Sequence, residues 1–436
     1  MMEEKRVRVR FAPSPTGYLH IGSARTALFN WLFAQSKKGV FLLRIEDTDK
    51  ERSHKKYVDE ILSSLEWLGI TWEGKPFYQT RRLKLYESYA KRLIEDGAAY
   101  PVKGGAVAFK MPKDTIVVSD LIRGPIEFDG SLQEDLIIMK SDGNPTYNFA
   151  CVVDDIDMGI THVIRGEDHI SNTPKQIALY QALGAPLTLF AHIPLILGED
   201  RSRLSKRHGA TSISEYRTMG YLPDALVNFM VLLGWSPGDN REVMTRDELV
   251  RSFSLDRVVK TAAIFNQEKL NWINNQYIKN MDTETLTDLV QDQMKRCGKK
   301  GKKISRTELK NIVRLFKTRL KRISDFCDQA QYFFLTNVEY DKEAVDTFLR
   351  RKELKIIFNL LINDLKRVRP FNPETIEKCC RDLIQKLGIA SGDLIHPARA
   401  AITGRTTSPG LFEVIHLLGK DVTVKRLKNA LAKYCK

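Results

Sequence analysis

Apolar Val7, Val9 and Phe11 alternate with Arg6, Arg8 and Arg10, the period of two that a half-buried strand requires. The run enters a stiff turn, Pro13-Ser14-Pro15-Thr16-Gly17, and after Gly22 the period changes. Ala24, Ala27, Leu28, Trp31 and Leu32 then share one side of a helix, with Ser23 as its expected cap. A second strand, Val40–Ile45, stops at Glu46-Asp47-Thr48-Asp49, and the next helix carries Tyr57, Ile61, Leu65 and Leu68. Strands alternating with helices predict a parallel α/β sheet.

Between about Tyr100 and Ser141 the pattern breaks into short β-like pieces at 106–111, 116–118 and 136–139, separated by Gly, Pro and Asp. This stretch reads as an insertion that interrupts the sheet. Strand, helix and strand resume at 162–165, 172–183 and 187–197. Beyond about residue 220 nearly every periodic segment is helical, and 291–322 is crowded with Lys and Arg. The run Lys299-Lys300-Gly301-Lys302-Lys303 reads as a solvated linker whose sign favours nearby phosphates.

A chain of 436 residues accommodates two or three domains, each with its own core. Its net charge of +15 points to a polyanionic partner, nucleic acid first among them. Six cysteines occur with no CxxC pair and no metal-ligand spacing, which fits a reducing cytosol. The N-terminal residues meet proline before any signal-peptide core, and no apolar stretch approaches the roughly 20 residues of a membrane span, so neither export nor a membrane is expected.

Two loops carry candidate chemistry. His20 stands beside the start of the first helix, where unpaired backbone N–H groups and the helix dipole favour an anion. Gly17 and Gly22 allow close backbone approach there, while Pro13 and Pro15 stiffen the way in. A lone histidine in such a place is more often a capping or packing residue. In Arg203-Leu204-Ser205-Lys206-Arg207, Ser205 and Lys206 suit the β- and γ-phosphates of a nucleotide, although a solvated basic loop reads the same way. Paired Asp154 and Asp155 suggest a metal site, but a structural reading is the better one, since paired acids after a strand often cap turns or hold arginines.

Taken together, the two loops resemble the signatures of class I aminoacyl-tRNA synthetases. PSPTGYLHIGS at 13–23 is similar to the extended first signature, whose His-Ile-Gly-His core is here His20-Ile21-Gly22-Ser23, and RLSKR at 203–207 is similar to the second. Ser23 replaces a frequent histidine, as is normal for the glutamyl branch, and Arg203 replaces a lysine with its charge kept. FAPSPTG (11–17), LRIEDTD (43–49), VVDD (152–155) and THVIRGEDH (161–169) resemble bacterial glutamyl-tRNA synthetases. HPARAAITGRTTSPGLFEVIHLLG (396–419) resembles their terminal anticodon-binding segment.

The resemblance implies a Rossmann-like catalytic domain at 5–99 and 142–197, an acceptor-end insertion at 100–141, a stem-contact region with the RLSKR loop at 198–285, and an all-α anticodon-binding region at 286–436. It implies ATP binding by Pro13, Ser14, Thr16, Gly17, His20 and Gly22, and by Arg203, Leu204, Ser205, Lys206 and Arg207, with His20 and Lys206 catalytic. Arg10, Ser14, Glu46, Tyr147 and Arg165 would line the pocket for L-glutamate, whose two carboxylates call for arginine forks and whose ammonium calls for an acid. Arg165 could instead pair with Glu167 or Asp168, and Cys151 would be a small apolar wall. The implied reaction uses Mg-ATP and glutamate tRNA, with glutamine tRNA as an open second acceptor, in a cytoplasmic monomer. Many relatives carry a zinc-binding cysteine cluster after an Ala-Tyr pair. Here Ala99-Tyr100 is followed by no cysteine before Cys151, so no zinc is expected, and the short insertion puts its grip on the acceptor end in doubt. The rivals are weaker: glutaminyl-tRNA synthetases usually have glutamate where Ser14 stands, the truncated glutamyl-queuosine enzymes lack a helical C-terminal region, and a non-catalytic RNA-binding relative need not keep both signatures.

Overall fold

The computed structural model describes residues 6–49, 51–205, 207, 209–298 and 304–435. The lysine run at 299–303 and Lys206 lie outside them. The chain divides into two compact units, Met1–Asn274 and Asn275–Lys436.

In the first unit the chain runs β1 (Arg8–Phe11), α1 (Ile21–Ser36), β2 (Val40–Ile45), α2 (Lys55–Trp67), β3 (Phe77–Tyr78) and α3 (Leu83–Glu95). Strands β1, β2 and β3 form a parallel sheet, with Arg8 opposite Val40 and Arg44 opposite Phe77. All six residues of β2 are buried, which is why its sequence runs VFLLRI without alternating. Helix α1 is likewise buried nearly all round, from Ile21 to Ala34, so its apolar positions exceed a single stripe.

The insertion supplies β4 (Ala99–Pro101), β5 (Val107–Phe109), β6 (Ile116–Asp120), β7 (Gly124–Phe128) and β8 (Leu136–Met139). Only β4, β5 and β8 form a separate antiparallel sheet. Strand β6 turns back and extends the parallel sheet, a placement the short apolar run at 116–118 did not predict. After α4 (Tyr147–Asp157), β9 (His162–Gly166), α5 (Thr173–Ala182) and β10 (Leu189–Ile193), the strand order is β7-β6-β10-β9, with only the β6–β7 pair antiparallel. Thr161 N–H donates to Arg8 O at 2.9 Å and Arg8 N–H to Thr161 Oγ1 at 2.9 Å, which sets β1 beside β9 and joins the two sheets.

Strand β11 (Ile196–Leu197) precedes the RLSKR loop, and the chain continues through α6 (Ile213–Thr218), α7 (Pro223–Leu232) and α8 (Arg246–Ser252). Among the described residues the helical stretch after residue 220 holds one strand, β12 (Ala263–Ile264), which pairs with β11 in parallel. The division between units falls within α9 (Gln267–Asn280), ahead of residue 286 where the helical module was expected to begin.

The second unit is helical among its described residues. Its helix Arg306–Phe316 shows how the pattern works: Leu309, Ile312, Val313 and Phe316 are buried, and Ser305 and Glu308 close a capping box at the start. Phe316 packs edge-on against Phe326 and Phe333, with ring centroids 5.7 and 6.2 Å apart. Buried Arg426 donates to the carbonyls of Ile402, Tyr332 and Leu335 at 2.6–2.8 Å, tying three segments together.

Candidate active site

The first loop is fixed at its end by His20. It is the N-cap of α1, and its Nδ1 accepts the Gly22 N–H at 3.1 Å. The cap expected at Ser23 is therefore three residues early, because the ring nitrogen of His20 reaches the second helical N–H and Ser23 is already inside the first turn. Burial, and then the Arg203 cation, lower the His20 pKa, so the ring is neutral. With Nδ1 accepting, the ring proton sits on Nε2 and remains a donor. Capping and anion binding are thus compatible in one side chain.

The second loop is drawn to the first by backbone bonds. Leu204 N–H donates to Ile196 O at 3.2 Å, and Arg203 pairs with Asp168 at 3.2 Å. Beyond the loop, Ile21 N–H donates to Thr211 O at 2.8 Å and Ile213 N–H to Leu19 O at 3.0 Å. These bonds bring the histidine loop and the basic loop to one open cavity of about 590 Å³ at the ends of β1, β2 and β9, where open α/β sheets bind ligands.

Ten of the expected site residues line that cavity: Arg10, Pro13, Ser14, His20 and Gly22 from the first strand and loop, Glu46, Tyr147 and Arg165 beyond them, and Arg203 and Leu204 from the basic loop. Thr16, Gly17, Ser205 and Arg207 do not line it; Thr16 and Arg207 are exposed, and Arg207 binds Asp200 at 3.2 Å and Ser202. Lys206 lies outside the described residues.

One wall is a buried cluster of charges. Arg10 donates through Nε and Nη2 to the two oxygens of Asp155 at 3.0 and 3.2 Å. Arg44, fully buried, reaches Asp155, Glu46 at 3.2 Å and Asp154 at 3.6 Å. Asp154 also takes Gln79 at 2.9 Å, Arg82 at 2.7 Å and the Tyr86 hydroxyl at 3.0 Å. The two aspartates do not follow a strand but sit on α4, and both are occupied by arginines. Among the described residues no group of three His, Cys, Asp or Glu is arranged to hold a metal ion. Burial alone would raise the Asp155 pKa, but Arg10 and Arg44 outweigh it and hold the carboxyl below its usual value. For Glu46 burial wins over Arg44 and Arg10, and its pKa is raised. Cys151 is no plain apolar wall, since its Sγ lies 3.4 Å from Arg44 and 3.6 Å from Asp155; burial pushes its thiol up to about 12, which keeps it protonated.

The opposite wall is built differently. Arg165 is 5 % exposed and makes no ion pair with a carboxylate among the described residues. Glu167 instead pairs with Arg123 and Asp168 with Arg203, so the expected structural alternative for Arg165 does not occur. Its partners are neutral: His192 Nε2 at 3.1 Å, Gln176 Oε1 at 2.9 Å, Thr173 Oγ1 at 2.8 Å and the His169 carbonyl at 3.4 Å. Burial first, and then Arg165, lower the His169 pKa to about 4, so that ring is neutral too; its Nδ1 meets the Tyr147 hydroxyl at 3.1 Å. Arg44 and His192 escaped the sequence reading because each is a single polar residue in an otherwise apolar strand, and Thr173 and Gln176 because they are two of several polar residues of α5. Arg25 was missed as well: it lines the cavity from α1 and donates to Leu233 O at 2.7 Å and to Pro194 O.

Residues 6–105 and 103–272 match the family described as tRNA synthetases class I (E and Q), catalytic domain, and residues 260–431 match the anticodon binding domain family. This chain belongs to the class I tRNA synthetases of the E and Q branch. Among its relatives, the synthetase is 44% identical to glutamate–tRNA ligase 1 of Caldanaerobacter subterraneus, over 99% of this chain and 98% of the relative. It is also 44% identical to the glutamate–tRNA ligase of Thermodesulfovibrio yellowstonii, over 98% of this chain and 99% of that one. A crystal structure of a glutamate–tRNA ligase from Elizabethkingia meningosepticum, in complex with its amino acid, superposes with a TM-score of 0.88 at 30% identity and covers 99% of this chain and 100% of that one. No helix of the described residues is long and apolar enough to cross a membrane.

Proposed function

We propose that this synthetase activates L-glutamate with Mg-ATP and transfers it to the 3′ end of glutamate tRNA. The observation that carries the reading is Arg165, a buried guanidinium with no carboxylate partner among the described residues, in the same cavity as Glu46 and the N-terminus of α1. A buried cation costs several kcal/mol unless an anion meets it, and glutamate brings that anion as its side-chain carboxylate. Arg10 spends Nε and Nη2 on Asp155, which leaves Nη1 for the same ligand. Glu46, whose pKa is raised by burial, receives the substrate ammonium, and that charge restores its ionised form.

With the amino acid so held, its α-carboxylate attacks the α-phosphate of ATP and pyrophosphate leaves. His20 Nε2–H and the α1 N-terminus stabilise the charge that develops on the phosphate. Arg203 of the basic loop lies close enough to lower the His20 pKa, and so adds positive potential at the same place. By the resemblance, Lys206 holds the departing pyrophosphate. The terminal ribose hydroxyl of tRNA then displaces AMP from the adenylate. These are mainly effects of position and charge. The insertion at 100–141 would meet the acceptor end and the helical region the anticodon. Six cysteines, none joined in a disulfide, suit a reducing cytoplasm.

The test is charging of purified glutamate tRNA and, separately, glutamine tRNA with labelled L-glutamate and ATP. Charging of glutamate tRNA supports the proposal; charging of both adds a relaxed second specificity. Binding of tRNA without charging of either contradicts it and points to a non-catalytic RNA-binding protein.

A further inference from the structure

We infer that Asp120 and His192 form a relay that positions Arg165, and that through it a strand of the insertion sets the shape of the amino-acid pocket. The inference rests on Arg165 receiving the glutamate carboxylate. Three adjacent parallel strands supply the parts, because β10 lies between β6 and β9. Arg165 of β9 and His192 of β10 are register partners, so their side chains leave the sheet together. Asp120 ends β6 and stands on the other side of His192.

The hydrogen bonds admit one arrangement of protons. Arginine Nε can only donate, so His192 Nε2, 3.1 Å away, must accept. A neutral ring then carries its proton on Nδ1, which donates to Asp120 Oδ2 at 2.6 Å. The His192 backbone N–H donates to the same oxygen at 3.1 Å, and the Ile122 and Arg123 N–H groups donate to Oδ1 at 3.0 and 2.9 Å. His192 is fully buried and Asp120 is 5 % exposed, so neither exchanges these partners for water. Burial, and the nearby Arg165 and Arg123 cations, lower the His192 pKa against the pull of Asp120, which keeps the ring neutral. Asp120 stays ionised: burial raises its pKa, but the bonds from His192, Arg123 and Ile122 outweigh it.

The chemistry of the relay explains why a histidine stands between the two charges. A carboxylate in direct contact with Arg165 would neutralise it and compete with the ligand. An imidazole spacer transmits the orientation of a fixed anion while keeping that anion one ring away, so the guanidinium is aimed and its charge is kept. Thr173 Oγ1, within 3.2 Å of His192 Nε2 and 2.8 Å of Arg165 Nη2, closes the arrangement from α5.

The experiment compares two substitutions that keep opposite halves of the ring. His192→Gln places an amide oxygen where Nε2 accepts from Arg165; His192→Asn keeps a donor for Asp120 and loses the acceptor. In charging of glutamate tRNA, His192→Asn should raise the KM for glutamate roughly 10- to 100-fold, while His192→Gln, which keeps the acceptor for Arg165 but loses the hold of Asp120, should raise it by a smaller factor of roughly 3 to 10. The KM for ATP should hold in both. Asp120→Asn should raise the glutamate KM in the same direction, and it carries the test if His192→Asn does not fold. Adding His192→Asn to Arg165→Gln should cost little more than Arg165→Gln alone. An unchanged glutamate KM in His192→Gln and Asp120→Asn, or parallel shifts in the KM for ATP and glutamate, would overturn the relay and leave Arg165 in place. An unchanged glutamate KM in Arg165→Gln itself would remove the reading of the pocket on which the relay stands.

Discussion

Arg10 and Arg165 line the same cavity from neighbouring strands, yet they are held in opposite ways. Arg10 lies on a carboxylate, Asp155, which also takes Arg44, so this wall balances its own charges. Arg165 lies on an imidazole, an amide, a hydroxyl and a carbonyl, which direct it without neutralising it. Equal burial therefore does not mean an equal role. The first wall is stable by itself and is costly to break; the second keeps a charge that only a ligand completes.

The largest effect expected from this contrast is on folding. Asp155→Ala should leave Arg10 and Arg44 buried without their shared anion and destabilise the chain by about 3–5 kcal/mol in denaturant unfolding. A loss below about 1 kcal/mol would mean that the charged wall is not a structural unit. At the helix end, His20→Ala should slow adenylate formation roughly 10²–10³-fold and cost about 1 kcal/mol of stability with the cap. His20→Asn should restore the cap and the stability but not the rate, since its amide oxygen can accept the Gly22 N–H and no donor stands in place of Nε2. Recovery of both by the asparagine variant would reduce His20 to a cap.

A smaller, graded effect is expected with pH. His20, His162, His169 and His192 all have pKa values lowered first by burial, that of His169 to about 4. Below about pH 6.5 the unfolded chain takes up protons that these folded sites refuse, so stability falls as pH falls toward the folded values. Asp120 and Asp155, with lowered pKa values, contribute stability above about pH 4 that is lost only as pH drops through those values. Urea unfolding should therefore show stability declining between about pH 6.5 and 5, before the carboxylates titrate. A flat profile over that range would contradict the buried neutral histidines.

Much of this site was legible as sequence because it lies at strand ends and in two loops whose residue types are constrained by phosphate and carboxylate chemistry. Arg10, Ser14 and Glu46 were assigned to the pocket by the resemblance of FAPSPTG and LRIEDTD and not by periodicity, and all three line the cavity. The positions that hold those residues were not legible. Arg44 sits in a wholly buried strand where periodicity offers no reason for a cation, and it is explained only by Asp154, Asp155 and Glu46. Asp120 and His192 are separated by the whole of β7, β8, α4, β9 and α5, and only the return of β6 to the parallel sheet brings them together. His20 as cap was one reading of the sequence, beside Ser23 with its better capping propensity, and only the contact of its ring with the Gly22 N–H decides between them. Local chemistry announces what touches a ligand, while tertiary register decides what aims it.

The most direct measurement of the contrast is Arg165→Gln, followed by both glutamate KM and unfolding free energy. The amide can keep donating to the neutral shell but carries no charge, so KM for glutamate should rise by roughly 30-fold or more while stability changes by no more than about 1 kcal/mol. An unchanged KM, accompanied by a loss of several kcal/mol in stability, would show that Arg165 serves the fold and that the cavity does not keep its charge for glutamate.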